Sequence, residues 1–282
     1  MRLVKTIREL KQELEPIRRS GVTVGFVPTM GYLHEGHLSL MRKSVEECGF
    51  TVVSIFVNPT QFGPGEDYDR YPRDLERDLS MCESVGVDLV FAPGVSEMYE
   101  PDACTRVTVS GLTQNLCGRS RPGHFDGVTT VVCKLFNMVR PDRAYFGQKD
   151  AQQVAVVRRM VRDLNIPVEV REMPTVREPD GLAMSSRNVY LSPDQRRAAL
   201  SLHRSLRTAA DMIEKGERSA AKIRERMIDI ILSSGLAELD YVEIVDADSL
   251  RNIDTLKGEV LIAVAVKFGQ TRLIDNIKVV VH

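Results

Sequence analysis

Short apolar runs alternate with longer amphipathic stretches through the first two thirds of the chain. The short runs are rich in Val, Ile and Phe and predict buried strands. Between them, apolar residues recur every three or four positions, which predicts helices with one buried face. The predicted strands are Val22–Val27, Thr51–Val57, Asp88–Phe91, Arg143–Phe146 and Val168–Arg171. The predicted helices are Leu3–Arg19, Gly36–Cys48, one that starts at Pro72, Asp126–Val139 and Asp150–Leu164.

The pattern changes near Thr175, where a polar, turn-rich segment carries no clear period. Strands that alternate with helices before this point predict right-handed crossovers and a parallel sheet. After it, the pattern predicts two helices followed by three strands: Pro193–Lys215, Ser219–Leu232, Tyr241–Val245, Val260–Val266 and Arg272–Val280. The predicted fold class is therefore α/β, with a parallel sheet flanked by helices in residues 1–175 and a smaller C-terminal α+β domain in residues 176–282.

Composition narrows the class of protein. The chain has 282 residues, of which 43% are hydrophobic and 27% charged, which is an ordinary globular composition. Its net charge of −1 offers no broad basic field, so we expect no nucleic-acid partner. No apolar stretch is long enough to cross a bilayer, and the first residues contain no secretory apolar segment, so we expect no membrane partner.

The five cysteines form no C-x-x-C pair and are spread between positions 48 and 133. An odd number at wide spacing argues against a disulfide framework and against a cysteine zinc site. Reduced cysteines are typical of the cytosol, so we predict a cytoplasmic location.

Polar clusters follow several predicted strands, where ligands collect in open α/β sheets. The cluster after the first strand contains His34 and His37, and the following helix would point its positive end at an anion. Imidazole can donate to phosphate oxygens, but a structural histidine pair and a zinc site are alternatives. There is neither a G-x-G-x-x-G after a strand nor a Walker-type P-loop, so a phosphate site needs other donors.

Three further clusters carry positive charge, and a fourth carries carboxylates. Lys149 and Asp150 lie between a predicted strand and helix, where they could face a ligand or simply cap the helix. Ser185, Ser186 and Arg187 combine two hydroxyls with a guanidinium suited to phosphate, although a polar linker explains them too. Arg119, Arg121 and His124 form a possible basic patch, and Asp67, Asp69, Asp74 and Asp78 offer carboxylates to a magnesium–phosphate complex.

Four segments together resemble the pantothenate synthetase (pantoate–β-alanine ligase) family, within the nucleotidylyltransferase superfamily that carries a His-x-Gly-His motif. They are FVPTMGYLHEGHLSL, SIFVNPTQFGPGEDYDRYPRD, RPGHFDGVTTVVCKLFNMVRPDRAYFGQKDAQQ and REPDGLAMSSRN. A looser likeness continues in DYVEIVD and TRLIDN.

The resemblance implies an adenylating ligase. Pantoate would attack the α-phosphate of ATP to give pantoyl adenylate and pyrophosphate, and β-alanine would then displace AMP to give pantothenate. The resemblance also implies Mg²⁺, a Rossmann-like N-terminal domain, a C-terminal lid and a homodimer.

The resemblance assigns roles position by position. His34, His37, Lys149 and Arg187 would be catalytic, while Gln61, Gln153, Met30 and Pro28 would bind pantoate. Asp78 would be associated with the metal, and Tyr71 would help position the phosphates. ATP would contact Met30, His34, His37, Gly147, Lys149, Asp150, Val176, Met184, Ser185, Ser186 and Arg187.

Three alternatives stay open at this point. One is nucleotidyl transfer to another small acid or phosphate ester, which the surroundings of Gln61 and Gln153 disfavour. A tRNA-binding synthetase fragment is disfavoured by the missing basic stripe. A non-enzymatic dimeric scaffold is disfavoured by four ligand-type loops that follow predicted strands: Pro28–His37, Asn58–Gly63, Gly147–Gln153 and Met184–Asn188.

Overall fold

The computed structural model describes residues 1–281, which form two compact units. The first unit comprises Met1–Ser110, Arg121–Gln148 and Gln153–Pro174. The second comprises Gly111–Ser120, Lys149–Gln152 and the chain from Thr175 onward. Two short segments that the prediction assigned to the N-terminal domain therefore lie in the second unit. The role of the C-terminal part as a lid stays a prediction.

The helices and strands follow the predicted order, and the strand Arg2–Val4 and the short helices Val95–Met98 and Leu116–Ser120 occur in addition to it. Up to residue 98 they are β1 (Arg2–Val4), α1 (Ile7–Arg19), β2 (Val24–Thr29), α2 (Glu35–Glu47), β3 (Phe50–Ile55), α3 (Leu75–Ser84), β4 (Leu89–Phe91) and α4 (Val95–Met98). They continue with α5 (Leu116–Ser120), α6 (His124–Val139), β5 (Arg143–Gly147), α7 (Ala151–Asp163) and β6 (Glu169–Met173). The last elements are α8 (Pro193–Glu214), α9 (Ala220–Leu232), β7 (Ala237–Asp246), β8 (Gly258–Phe268) and β9 (Thr271–Val281).

The first unit is built on a six-stranded sheet with the order β1-β4-β3-β2-β5-β6, in which every neighbouring pair is parallel. The chain moves outward from β2 through β3 to β4, and then returns to the other side of β2 for β5 and β6. The strand order therefore reverses between β2 and β5, which is where open α/β sheets form a ligand crevice at their carboxyl ends. The predicted α/β fold class is confirmed.

Strand β2 runs further than predicted, because Pro28 and Thr29 continue it instead of ending it. Its ladder with β3 extends from Val24 to Thr29, whereas its ladder with β5 stops at Phe26. A proline has no N–H to donate to a neighbouring strand, so the carboxyl end of β2 is free to separate from β5. This separation opens the sheet at the point where the strand order reverses.

Two predicted helix starts are wrong. Leu3 belongs to the edge strand β1, and α1 begins only after Thr6, whose hydroxyl accepts the Glu9 N–H in a reciprocal capping box. Helix α3 begins after Asp74, whose carboxylate accepts the Arg77 N–H, so Pro72 precedes the helix instead of occupying its first turn.

The apolar face of α2 joins the core of the first unit. Leu38 and Met41 are buried together with Val27, Val53 and Tyr145 from the sheet. This packing holds the first turn of α2 against the carboxyl edge of β2 and β3. The site described below therefore rests on a packed part of the structure.

The second unit contains a three-stranded antiparallel sheet in the order β7-β8-β9, packed on α8 and α9 through a shared apolar core. The predicted hairpin at Gly269-Gln270 joins β8 to β9. Residues 176–184, which carry no sequence period, form a small antiparallel hairpin with Arg177 opposite Ala183. Within residues 1–281, no helix is both long and apolar enough to cross a membrane.

Candidate active site

The first turn of α2 is capped by two histidine side chains. His34 is the N-cap residue, and its Nδ1 accepts the Gly36 N–H at 3.1 Å. The Nδ1 of His37 accepts the backbone N–H of His34 at 3.3 Å, which completes a reciprocal capping box. The two ring centroids lie 4.1 Å apart. The structure therefore brings the two predicted phosphate-binding histidines together.

This capping decides the tautomer of both rings. A neutral imidazole carries its proton on one nitrogen only, and an Nδ1 that accepts an N–H cannot carry it. The proton of each neutral ring therefore lies on Nε2, which makes each Nε2 a donor. Two such donors at a helix N-terminus are suited to bind anionic oxygens, because the helix dipole also favours negative charge there.

Asp78 fixes the loop that leads into this cap. Its carboxylate is buried, and its two oxygens accept the N–H groups of Tyr32 and Leu33, both at 2.7 Å. Tyr32 has a φ of 49°, a backbone conformation that costs free energy in a residue other than glycine. Gly31 has a φ of 83°, and a Cβ there would lie 2.9 Å from Asp78 Oδ2. Asp78 thus stabilises a strained backbone next to His34.

The Asp78 carboxylate does not resemble an open metal ligand. Burial raises its pKa, although the N–H groups of Leu33 and Tyr32 partly offset this effect. Both oxygens already accept hydrogen bonds, and residues 1–281 contain no group of three His, Cys, Asp or Glu side chains placed to hold a metal. The residues present do not fit a protein-built Mg²⁺ site, and metal binding by Asp78 stays a prediction.

Gln61 lies beyond β3, in the short 3₁₀ turn Pro59–Gln61. Its Nε2 lies 3.2 Å from the Sδ of Met30, and its Oε1 accepts an N–H from Asn58 Nδ2 at 3.1 Å. Gln61 and Met30, two residues predicted to bind pantoate, are therefore neighbours. Pro28 is two residues upstream of Met30, in the part of β2 that pairs with β3 alone.

A buried network that sequence analysis missed holds this turn in place. Asn58 is 1% exposed; its Nδ2 also donates to the Gly127 carbonyl, and its Oδ1 accepts from the Tyr99 hydroxyl at 2.9 Å. A Cβ on Gly127 would lie 2.4 Å from the Thr60 carbonyl oxygen, so only glycine allows α6 to approach the turn this closely. The sequence signal was Asn-Pro directly after a strand.

The Gln61 carbonyl is held from the other side by α6. His124 Nδ1 lies 2.8 Å from this oxygen, so the ring must donate there, and its Nε2 accepts from Arg121. Arg121 also forms a two-pronged ion pair with Glu66, at 2.6 and 2.7 Å. Burial tends to raise the pKa of Glu66, but Arg121 outweighs it and the net pKa is lowered. Arg121 and His124 therefore bind their own chain and do not form an open basic patch.

Gly147 and Gln153 lie at the end of β5 and in the first turn of α7. A Cβ on Gly147 would meet nothing within 4 Å, so there is open space beside its backbone. Both residues belong to the strand–helix connection on the β5 side of the strand-order reversal.

The second unit contains the remaining residues predicted to contact ATP. Lys149 and Asp150 end a 3₁₀ turn before α7, with the Lys149 Nζ 3.8 Å from the nearer Asp150 oxygen. Met184 donates its N–H to the Val176 carbonyl at 3.0 Å across the small hairpin. Ser185 then caps the 3₁₀ turn Ser186–Tyr190 by accepting the Arg187 N–H. The hairpin therefore brings Val176 next to Met184 and places Ser185–Arg187 directly after them.

The pantoate–β-alanine ligase family model matches residues 2–278 of this chain. The chain belongs to the pantoate–β-alanine ligase family. The family and the enzyme class predicted from the motifs are thereby confirmed.

Named relatives and solved structures match this chain over nearly its whole length. The chain is 61% identical to a pantothenate synthetase of Acetivibrio thermocellus over 277 residues, which is 98% of this chain and 99% of the relative. A crystal structure of pantothenate synthetase from Thermus thermophilus has 51% identity and a TM-score of 0.94, covering 98% of this chain and 99% of that one. A Francisella tularensis pantoate–β-alanine ligase, complexed with β-γ ATP and β-alanine, has 33% identity and a TM-score of 0.81, covering 98% and 97%.

Proposed function

We propose that this chain condenses pantoate with β-alanine, using ATP, to give pantothenate, AMP and pyrophosphate. Its membership of the ligase family and the relative complexed with β-γ ATP and β-alanine support this reaction. The observation that carries the proposal is the pair of Nε2 donors on His34 and His37 at the N-terminus of α2, which follows Met30, a neighbour of Gln61.

The chemistry divides into two displacements. In the first, a pantoate carboxylate oxygen bonds to the α-phosphorus of ATP, and the bond from that phosphorus to the bridging oxygen breaks to release pyrophosphate. In the second, the β-alanine amine bonds to the acyl carbon of pantoyl adenylate, the bond from that carbon to the oxygen bridging it to phosphorus breaks, AMP leaves with that oxygen, and the amine loses a proton. Both nucleophiles come from substrates, so catalysis rests on positioning and charge stabilisation.

His34 and His37 would donate from Nε2 to phosphate oxygens and stabilise the negative charge that develops as pyrophosphate leaves. Their capping role holds each ring at a fixed angle, so little reorganisation is needed when the charge appears. Gln61 and Gln153 would hydrogen-bond pantoate, while Met30 and Pro28 would give its pocket an apolar wall.

The second unit would contribute a positive charge and a phosphate-binding loop. Lys149 would stabilise charge on the α-phosphate as a compact ammonium donor, and Arg187 would offer a guanidinium to the phosphates with Ser185 and Ser186. The remaining residues predicted to contact ATP are Gly147, Asp150, Val176 and Met184. These roles follow from the family motifs and are proposed for this chain.

We infer that Mg²⁺ accompanies ATP. Mg²⁺ keeps several waters and binds through substrate phosphates together with few carboxylates, so it needs no protein cage. When bound, it would neutralise charge on the phosphate oxygens. Because Asp78 is already engaged by two N–H groups, we assign no step to a protein-bound ion.

We also propose a homodimer in the cytoplasm. The family resemblance supports the dimer. All five cysteines are unpaired, which agrees with a reducing compartment. The partners proposed are pantoate, β-alanine and ATP.

An isotope-exchange assay tests the reaction. With labelled pyrophosphate and ATP, exchange should require pantoate and should proceed without β-alanine, because adenylate formation is complete before the amine enters. Exchange supported equally by other small acids would contradict the assigned substrate, and exchange that requires β-alanine would contradict the adenylate intermediate.

Replacing Asp78 with asparagine should lower kcat by about tenfold without changing the Mg²⁺ concentration that gives half-maximal activity. The asparagine oxygen can accept one backbone N–H, but its NH₂ group would face the other, so the loop before His34 would shift. The measurement is a Mg²⁺ titration of exchange activity at saturating ATP.

Glu76→Gln is the matched control, since it removes one exposed carboxylate from the first turn of α3, the helix that also contains Asp78. It should leave both quantities unchanged. A raised Mg²⁺ requirement in Asp78→Asn alone would show instead that Asp78 supports the metal.

A further inference from the structure

Two adjacent polar residues are buried in the C-terminal strand β9, and no step above uses them. Asp275 is 2% exposed and Asn276 is 4% exposed. Consecutive residues of a strand point to opposite faces of the sheet, so the two side chains reach different parts of the second unit. A buried carboxylate and a buried amide each need partners, which makes those partners informative.

Asp275 holds the hairpin of residues 176–184. Its two oxygens accept from both terminal nitrogens of Arg177, at 2.6 and 2.9 Å. Arg177 in turn donates to the Gly181 carbonyl at the tip of the hairpin, at 3.1 Å. A two-pronged pair of this kind fixes orientation as well as distance. The segment it anchors is the one that contains Val176 and leads directly into Ser185–Arg187.

Asn276 bonds to the segment that contains Lys149, which is also proposed to contact ATP. Its Nδ2 donates to the backbone carbonyl of Lys149 at 2.8 Å. Its own N–H donates to Asp275 Oδ1 at 2.8 Å, so the two residues also constrain each other. One dipeptide of β9 is therefore bonded both to the backbone of Lys149 and to the hairpin that precedes Arg187.

We propose that Asp275 and Asn276 are positioning residues that hold the Lys149 segment and the 176–187 segment in register for ATP. The proposal rests on the proposed function, which assigns both segments to ATP. Each acts through another group: Asp275 acts through Arg177, and Asn276 acts through the main chain of Lys149. This gives the TRLIDN segment, otherwise only a sign of family likeness, a physical role.

Two near-isosteric substitutions test the two bonds separately. Asp275→Asn removes the charge that pairs with Arg177, and the KM for ATP should rise about tenfold. Asn276→Asp places an acceptor against the Lys149 carbonyl oxygen, and kcat for pantoate-dependent exchange should fall roughly 10- to 100-fold. The KM for pantoate should change less than twofold in both variants, because the residues proposed for pantoate lie in the first unit.

Glu238→Gln is the charge-matched control, since it removes one carboxylate from β7, the opposite edge strand of the same sheet, where the side chain is 72% exposed. It should behave as the unmodified protein. Hydrogen exchange should speed up in residues 149–152 and 176–188 of the two test variants while the rest of the C-terminal sheet stays protected. Loosening of the whole sheet, with equal changes in all substrate constants, would reduce these residues to a general structural role and overturn the proposal.

If Asp275→Asn or Asn276→Asp does not fold, Arg177→Lys is measured instead. Lysine keeps the positive charge but cannot donate two parallel hydrogen bonds to Asp275. This variant should raise the KM for ATP in the same way. Unchanged ATP kinetics in Arg177→Lys and in the folded test variants would overturn the positioning role while pantoate-dependent exchange by the unmodified protein upholds the proposed function. Absence of that exchange in the unmodified protein would overturn the proposed function itself.

Discussion

Replacing His37 with alanine should reduce pantoate-dependent ATP–pyrophosphate exchange by about 100- to 1,000-fold, the usual effect of losing one preorganised donor to a developing charge. The substitution removes the Nε2 donor and also the Nδ1 that accepts the His34 N–H at 3.3 Å. The loss should appear in kcat more than in the KM for ATP, because the donor acts most strongly on charge that develops in the transition state. Single-turnover adenylate formation measures it directly.

Two further substitutions distinguish loss of the His37 Nε2 donor from loss of the helix cap that His37 Nδ1 provides. Asparagine at position 37 can place an acceptor near the position of Nδ1 and so keep the cap, whereas glutamine can place a donor near the position of Nε2. If phosphate stabilisation is the main role, His37→Gln should retain more activity than His37→Asn. The reverse order would assign His37 to helix capping, and near-normal adenylation by His37→Ala would contradict both roles.

Replacing Lys149 with alanine should cause a loss of the same order, about 100-fold or more in exchange activity. The Lys149 side chain is 20% exposed, and its ammonium lies 3.8 Å from one carboxylate oxygen of Asp150. An ammonium directed at the α-phosphate would stabilise charge during both displacements. The pantoate-dependent exchange assay and the rate of AMP release measure the two steps separately.

Lys149→Met is the matched control for the charge, since it keeps much of the apolar stem and loses the ammonium. It should be as inactive as the alanine variant. Added methylamine should partly restore Lys149→Ala, which has space for the amine, and should not restore Lys149→Met. An active methionine variant would show that Lys149 contributes through packing, and its charge would then have no role in the reaction.

The elements that the sequence predicts well have a strong local cause. Strands β2, β3 and β5 are apolar runs bounded by turn residues, and α2 and α7 carry a clear apolar face, so local pattern and tertiary packing agree. The misses have equally local reasons. Strand β1 is only three residues long and Leu3 fits the period of the following helix, so the pattern could not separate them.

In the candidate site, the sequence identified some residues but did not show the roles of others. His34, His37, Gln61 and Met30 stand in motifs and could be named in advance. Glu66 and Asn58 could not be assigned, because their roles depend on partners far along the chain: Glu66 pairs with Arg121, and Asn58 donates to Gly127. Asp78 was interpreted as a metal-associated carboxylate, since a sequence does not show that both of its oxygens face backbone N–H groups.

By itself, the sequence determined the alternation of strands and helices, the fold class, the family and the motif residues, because each depends on the order of residue types along the chain. Only the tertiary structure decided the Nε2 tautomer of His34 and His37 and the buried bonds of Asp275 and Asn276. These depend on which donor and acceptor groups meet after folding. These contacts are determined by packing between distant segments, so a local pattern of residues does not predict them.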